Sequence, residues 1–355
     1  MQRIVDDLNI IEIGRPYLKY VLPRTRLFAS RVTGSSISVN FESLGNLRSA
    51  LADESLDLIV CHAPIHSLWS RQWWVRSIAN KRFLRGYMPI TSLIAPHFLR
   101  ARRSVPLAVV HLDDQRFISM SNLHLLDNAT TWFHRELPVD RWQVFMRTGH
   151  HSVPTHRYRQ HWRHRQRIDK IRPISLGPAL GTEQSFPSEP RPKTVDIFFA
   201  GRTEGSSTVR EHGVAQLKKL QQNGVRIDLP SERLSREAFI QRASAAYLVW
   251  SPEGYGWDCF RHYEAPLCWS VPLINQPTVE RYQPMLQDVH AAYYFPEGDG
   301  LFDAATAALA DRERLIRIAA QAQRHVTSYH LMRPLAEYII NCTLDSAVAS
   351  ESLKR

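Results

Sequence analysis

Between Ser251 and Glu264 the chain reads SPEGYGWDCFRHYE, and its most informative chemistry lies there. Gly254 and Gly256 have no side chains, so the backbone at those positions can approach a ligand closely. Asp258, Cys259 and Arg261 fall at the expected start of a helix. First-turn N–H groups have no partner within a helix and stand at the positive end of its dipole. Arg261 adds a permanent cation with forked donors. Glu264 follows one turn later on roughly the same face. A carboxylate there cannot hold phosphate, but it can accept hydrogen bonds from two neighbouring sugar hydroxyls. Amides and a guanidinium suit a diphosphate, and the carboxylate suits a ribose. The plainer alternative makes the glycines turn residues and Glu264 a surface or capping carboxylate. The combination at helical spacing favours the nucleotide.

Two apolar runs flank this stretch. Ala246–Trp250 and Val271–Asn275 predict buried strands, so the loop Ser251–Trp257 lies at a strand's carboxyl end, where open parallel sheets bind ligands. Short apolar runs alternate with helical patterns along most of the chain, which predicts an α/β protein. In the first half Leu8–Ile13, Ile37–Phe41, Leu56–Cys61, Val105–Leu112, Thr130–Phe133 and Ile171–Leu176 read as strands. Leu44–Asp53 and Ser70–Lys81 read as helices. The pattern restarts with strands over Val195–Ala200, Val225–Leu229 and Ala291–Phe295. Helices are predicted over Ser207–Asn223, Ser235–Ala245, Asp258–Trp269, Leu301–Tyr329 and Pro334–Cys342. Gly177–Lys193 carries four prolines and no periodicity, which predicts a linker. The expected divisions are a first domain over 1–180, a linker over 181–193, a second domain over 194–331, and a closing helix and tail over 332–355.

Glu264-Ala265 followed by Val271-Pro272-Leu273-Ile274 resembles the donor-domain segment of GT-B glycosyltransferases. SPEGYGWDCFRHYEA resembles bacterial and exostosin-like members, VDIFFAGR (Val195–Arg202) the first strand of their donor domain, and HVTSYHLMRPLAEYII their closing helices. The resemblance covers about Val195–Ile340. It implies two Rossmann-like domains facing each other across a cleft, with the C-terminal helix returning to the N-terminal domain. It implies a nucleoside-diphosphate-sugar donor on the second domain. Glu264 would meet the ribose, and Arg261 with Ser251, Gly254 and Gly256 the diphosphate. Tyr255, Asp258 and Cys259 share that loop, and Gly201 and Arg202 would open onto the cleft. The implied reaction moves a sugar to a hydroxyl acceptor such as a glycan, in bacterial cell-surface polysaccharide or glycoconjugate synthesis. Two positions depart from the pattern. Trp269 stands where the family has a small residue, often glycine. Gly256 stands where retaining members often carry a second glutamate, which favours inversion.

An inverting transfer needs a general base. Asp113 and Asp114 follow the run Val105–Leu112, and His62 follows Leu56–Cys61, so all three are candidates. Each also reads as a cap or turn residue. His134-Arg135-Glu136 either lines the cleft or forms an ion pair. Such transferases stabilise the leaving diphosphate with amides and cations, so no metal is expected, nor any cofactor beyond the donor.

A net charge of +11 favours anionic partners. The run His150–Arg172 holds five histidines and six arginines around Tyr158 and Trp162. It suits peripheral contact with membrane headgroups or an acidic acceptor, and a solvated face is the plainer alternative. Nucleic acid is not an expected partner. Four scattered cysteines without a CxxC pair fit a reducing compartment. The acidic start is unlike a signal peptide, and no apolar run approaches the roughly 20 residues that span a bilayer. The expected location is cytoplasmic, with contact at the inner membrane face left open. Two rival functions remain: a nucleotide-sugar epimerase of the same fold, and a non-catalytic polyanion-binding protein using the basic run.

Overall fold

A computed structural model describes residues 5–14, 17–28, 44–63, 105–119, 122–146, 161–203 and 205–352. The chain divides into two compact units, Met1–Ile174 with Leu335–Arg355, and Ser175–Pro334.

Among the described residues the first unit is built on six parallel strands: β1 (Ile10–Ile13), β2 (Arg26–Phe28), β3 (Leu58–His62), β4 (Leu107–His111), β5 (Thr131–His134) and β6 (Ile171–Pro173). They pair in the order β2-β1-β3-β4-β5-β6. Strands β3 and β4 are buried at every residue, as expected for parallel strands covered on both faces. Strand β2 escapes the sequence reading. The expected strand Ile37–Phe41 and helix Ser70–Lys81 lie outside the described residues. The C-terminal helix runs over Met332–Ser352, with Pro334 in its first turn, where a missing N–H costs nothing. Its Tyr338 meets Phe133 edge-on at 5.3 Å and donates its hydroxyl to Pro173 O.

The second unit has five parallel strands: β7 (Val195–Phe198), β8 (Ile227–Asp228), β9 (Ala246–Trp250), β10 (Val271–Asn275) and β11 (Ala292–Tyr294). Their order is β11-β10-β9-β7-β8. Both sheets therefore reverse strand order once, between β1 and β3 and between β7 and β9. Such switch points open a crevice at the carboxyl ends of the two strands. The helix Thr208–Gln222 follows β7, capped by Ser207, and its Gly213 lies so close to the Trp250 ring that a methyl group there would overlap it. The expected helix Leu301–Tyr329 is two, Gly300–Leu309 and Arg312–Tyr329, because the Asp311 side chain caps the second by accepting from Arg314 N.

The proline-rich segment 181–193 folds onto the second unit. Phe186 packs into its core, and Pro187 O accepts from Trp269 Nε1 at 3.1 Å. The Lys193 ammonium donates to Ser244 O, Trp269 O and Ser270 Oγ, and burial presses its pKa down to about 8. Trp269 itself has φ +57°, the left-handed region that favours glycine.

His330 is buried in this unit, where its Nε2 donates to Gln283 O and its Nδ1 accepts from Ser175 Oγ. Burial, and then the charge of His325, press its pKa from 6.5 down to about 3. The unfolded chain therefore takes up this proton first. Stability is lost as pH falls from about 6.5 towards 3, by at most about 1.4 kcal/mol per pH unit from this group. The melting temperature should fall between pH 6.5 and 5, and less steeply in His330→Gln. Equal slopes would refute this assignment.

Candidate nucleotide site

The loop after β9 and the loop after β7 meet at the switch point of the second sheet. The helix Phe260–Leu267 starts from the first of these loops with Cys259 at its N-cap, so its first-turn amides point back into the crevice. Arg261 is half-buried. Its Nη1 donates to Ala200 O, and its guanidinium lies 4.9 Å above the Phe199 ring. Gly201 makes this possible, because a Cβ there would stand 2.2 Å from Arg261 Nη1.

Arg210, on the helix Thr208–Gln222, lies beside it. Its guanidinium donates to Glu253 O (2.8 Å), Arg202 O (3.1 Å) and Pro252 O (3.4 Å), tying the two loops together. Gly254 admits this arm, since a Cβ would stand 2.8 Å from Arg210 Nη2. Neither arginine is within ion-pair distance of a carboxylate among the described residues. Burial first, and then the charge of Arg210, lower the Arg261 pKa to about 10. Two crowded cations with unused donors make a site that gains by receiving an anion.

The expected site residues divide into three groups. Arg261, Gly201 and Gly254 meet at this crevice, with Arg202 exposed at its rim and Tyr255 exposed on the loop. Gly254 N donates to Gly256 O within the loop, and Cys259 Sγ approaches Pro252 O and Gly256 O, so both brace its shape. Ser251 and Asp258 turn inward. The Ser251 hydroxyl is sealed from solvent and has no partner among the described residues. The Asp258 carboxylate accepts from Leu176 N at 2.7 Å and from the Tyr263 hydroxyl at 2.6 Å, so it anchors the helix instead of facing the crevice.

Glu264 is 5% exposed and its Oε1 accepts from Arg236 Nη1 at 2.5 Å. It lies one turn beyond Arg261 on the same helix, close enough for its charge to act on that guanidinium. Asn275, at the end of β10, fixes the loop from the other side. Its Oδ1 accepts from Glu253 N, and its Nδ2 donates to Glu253 Oε2. Sequence reasoning missed Arg210, Arg236 and Asn275. No local motif contains them, because the fold delivers them from other elements.

In the first unit His62 ends β3 at the switch point, and Gly14 lies against it at the end of β1. Its Nε2 donates to Glu12 Oε1 at 3.0 Å. Glu12 is wholly buried and also accepts from the backbone N–H groups of Tyr17, Leu18 and Lys19. Asp114 is paired with Arg135 at 2.9 Å, and Asp113 Oδ2 lies 3.9 Å from His111 Nε2. His134 stacks on His111 at 4.6 Å, and burial holds its pKa well below 6.5. Arg135 also lies 3.6 Å from Glu136 and donates to Leu112 O, so it belongs to an ion-pair network.

No family model matches the sequence, and no curated protein matches it. Solved structures do. A glycosyltransferase from Rickettsia africae superposes with a TM-score of 0.52 at 9% identity, over 96% of this chain and 99% of that one. An alpha-glucosyltransferase solved with UDP and a 13-mer DNA containing a HMU base superposes with a TM-score of 0.51 at 10% identity, over 94% of this chain and 99% of that one. The chain has the fold of the GT-B glycosyltransferases, with two Rossmann-like units.

Proposed function

We propose that this protein is a glycosyltransferase that binds a nucleoside-diphosphate-sugar on its second unit and passes the sugar to a hydroxyl acceptor. One observation carries the reading: Arg210 and Arg261 crowd together at the switch-point crevice with no carboxylate within ion-pair distance among the described residues. A donor's diphosphate supplies two negative charges at that place, and the leaving diphosphate gathers more as the glycosidic bond breaks. A neighbour of this fold was solved with UDP, which supports a nucleotide as the kind of ligand. Gly201 and Gly254 admit the two arginines that would hold it, Gly256 shapes the loop, and Glu264 receives the ribose. Ser251 and Asp258 contribute by shaping the loop. Bacterial cell-surface polysaccharide or glycoconjugate remains the proposed product class.

On the first unit, His62 is the base this geometry favours. Its Nε2–H is held by Glu12, which leaves Nδ1 as the proton acceptor, an arrangement of base and orienting carboxylate familiar from other transfer enzymes. Asp114 is held by Arg135, and Asp113 lies beside His111. Calorimetric titration with uridine, guanosine and adenosine diphosphates tests the donor site; no heat from any of them would reject it.

The run His150–Arg172 keeps its proposed role as a headgroup contact. Residues 150–160 lie outside the described residues. Beyond them Trp162 is 72% exposed, with the Arg163 guanidinium 4.9 Å over its ring, and Trp142 is exposed as well. Exposed tryptophan beside arginine suits an anionic bilayer surface. Co-sedimentation with phosphatidylglycerol vesicles should fall in Trp162→Ser, and binding unaffected by that change would remove the proposal.

A further inference from the structure

Arg236 opens the helix Arg236–Ser244 and reaches Glu264 from a different element. Its two arms are both tied. Nη1 donates to Glu264 Oε1 at 2.5 Å, and Nη2 donates to Thr182 Oγ1 at 3.0 Å. The guanidinium carbon lies 4.8 Å from the centre of the Phe186 ring and 5.8 Å from that of Phe239. A planar cation against two rings, with each arm anchored, has little freedom to swing. Its Nε is buried and has no partner among the described residues.

Burying such a pair does not by itself stabilise a fold. Desolvation offsets the Coulombic gain, and apolar residues of similar volume often serve as well. What the pair does supply is a carboxylate in one fixed orientation. With Oε1 engaged, the lone pairs of Oε2 remain to accept from a ligand. Arg236 also competes with Arg261 for Glu264. Arg261 stands three residues earlier on the same helix and already feels the carboxylate's charge. A Glu264 released from Arg236 would turn towards Arg261, leave the sugar hydroxyls, and neutralise a cation that the diphosphate needs.

We propose that Arg236 is the positioning residue of the nucleoside subsite, holding Glu264 so that its carboxylate distinguishes a ribose from a 2′-deoxyribose. This rests on the donor site proposed above. The segment 181–193 takes part through Thr182 and Phe186, so it forms one wall of the subsite.

The test is calorimetric titration of the full chain with the uridine, guanosine and adenosine diphosphates and their 2′-deoxy counterparts. Wild type should bind the ribose form of its preferred nucleotide about tenfold to a hundredfold more tightly than the deoxy form, the range for a hydrogen bond to a charged group. In Arg236→Ala the ratio should fall below about threefold, because the charged acceptor is no longer held in place. Arg236→Lys keeps the charge without the fork and should recover only part of it. Thr182→Val removes one anchor without removing the ion pair, and should lower the ratio mildly. If Arg236→Ala fails to fold, the lysine and valine variants decide the question. Variants that melt at lower temperature with the wild-type ratio intact would reduce Arg236 to a structural tie and overturn the inference. Equal binding of both sugar forms by wild type would overturn it too. Failure of wild type to bind any of the nucleotides would instead reject the donor site itself.

Discussion

Replacing Arg261 with alanine should weaken nucleoside-diphosphate binding by about 30- to 150-fold, the equivalent of roughly 2–3 kcal/mol for a forked, charge-assisted contact. The effect should be large because little else competes for this guanidinium. It donates to one carbonyl and stacks on Phe199, and no carboxylate lies within ion-pair distance of it among the described residues. Arg210 differs, because it also braces both loops through three carbonyls. Arg210→Lys keeps the charge and gives up the brace, so its loss measures how much of the site is shape. Calorimetry at low and high salt separates the two contributions, since a contact between charges weakens with added salt and a steric one does not. An Arg261→Ala protein with wild-type affinity would end the donor-site proposal.

The second large effect concerns His62. His62→Gln should slow nucleoside-diphosphate release from a sugar donor by about a hundredfold or more, the usual share of a general base. Donor affinity, measured by calorimetry, should stay close to wild type. Glu12→Gln should slow release as well, because the base would lose the carboxylate that orients it and balances its charge after proton uptake. Glu12 also accepts from three backbone N–H groups, so this variant needs a melting curve beside its kinetics. Asp113→Asn and Asp114→Asn should each change the rate by less than about tenfold, as expected of groups outside the proton transfer. A fully active His62→Gln, or a dead Asp113→Asn that still folds, would move the base elsewhere.

Much of the fold was legible because parallel strands covered on both faces leave unbroken apolar runs. Leu58–His62, Leu107–His111 and Ala246–Trp250 are such runs, and each lies where its sequence predicts. Strand β2 was not legible. Arg26-Leu27-Phe28 is an edge strand of three residues, its first exposed, with no run to detect. Glu12 was hidden for the opposite reason: a charge inside a strand reads as an interruption, whereas here it collects three amides and an imidazole. Of the site, the part written in consecutive residues was visible. Arg261 and Glu264 do share a helix beside the glycine loop. Which side chains of that stretch point outward was not, since Ser251 and Asp258 are drawn inward by packing and by Leu176, a residue far off in sequence. Arg210 and Arg236 were invisible because their meaning depends on strand order.

Trp269 keeps a backbone geometry that costs a residue with a side chain about 1–2 kcal/mol. The indole stays in it while Pro187 accepts its N–H and Lys193 clasps its carbonyl. The helix end itself sets that geometry: Trp269 N donates to Pro266 O and Ser270 N to Ala265 O, the paired bonds that close a helix on a left-handed residue. Segment 181–193 fastens onto this corner from outside, so loosening the segment would free the indole and the carbonyl and leave the turn of the backbone in place.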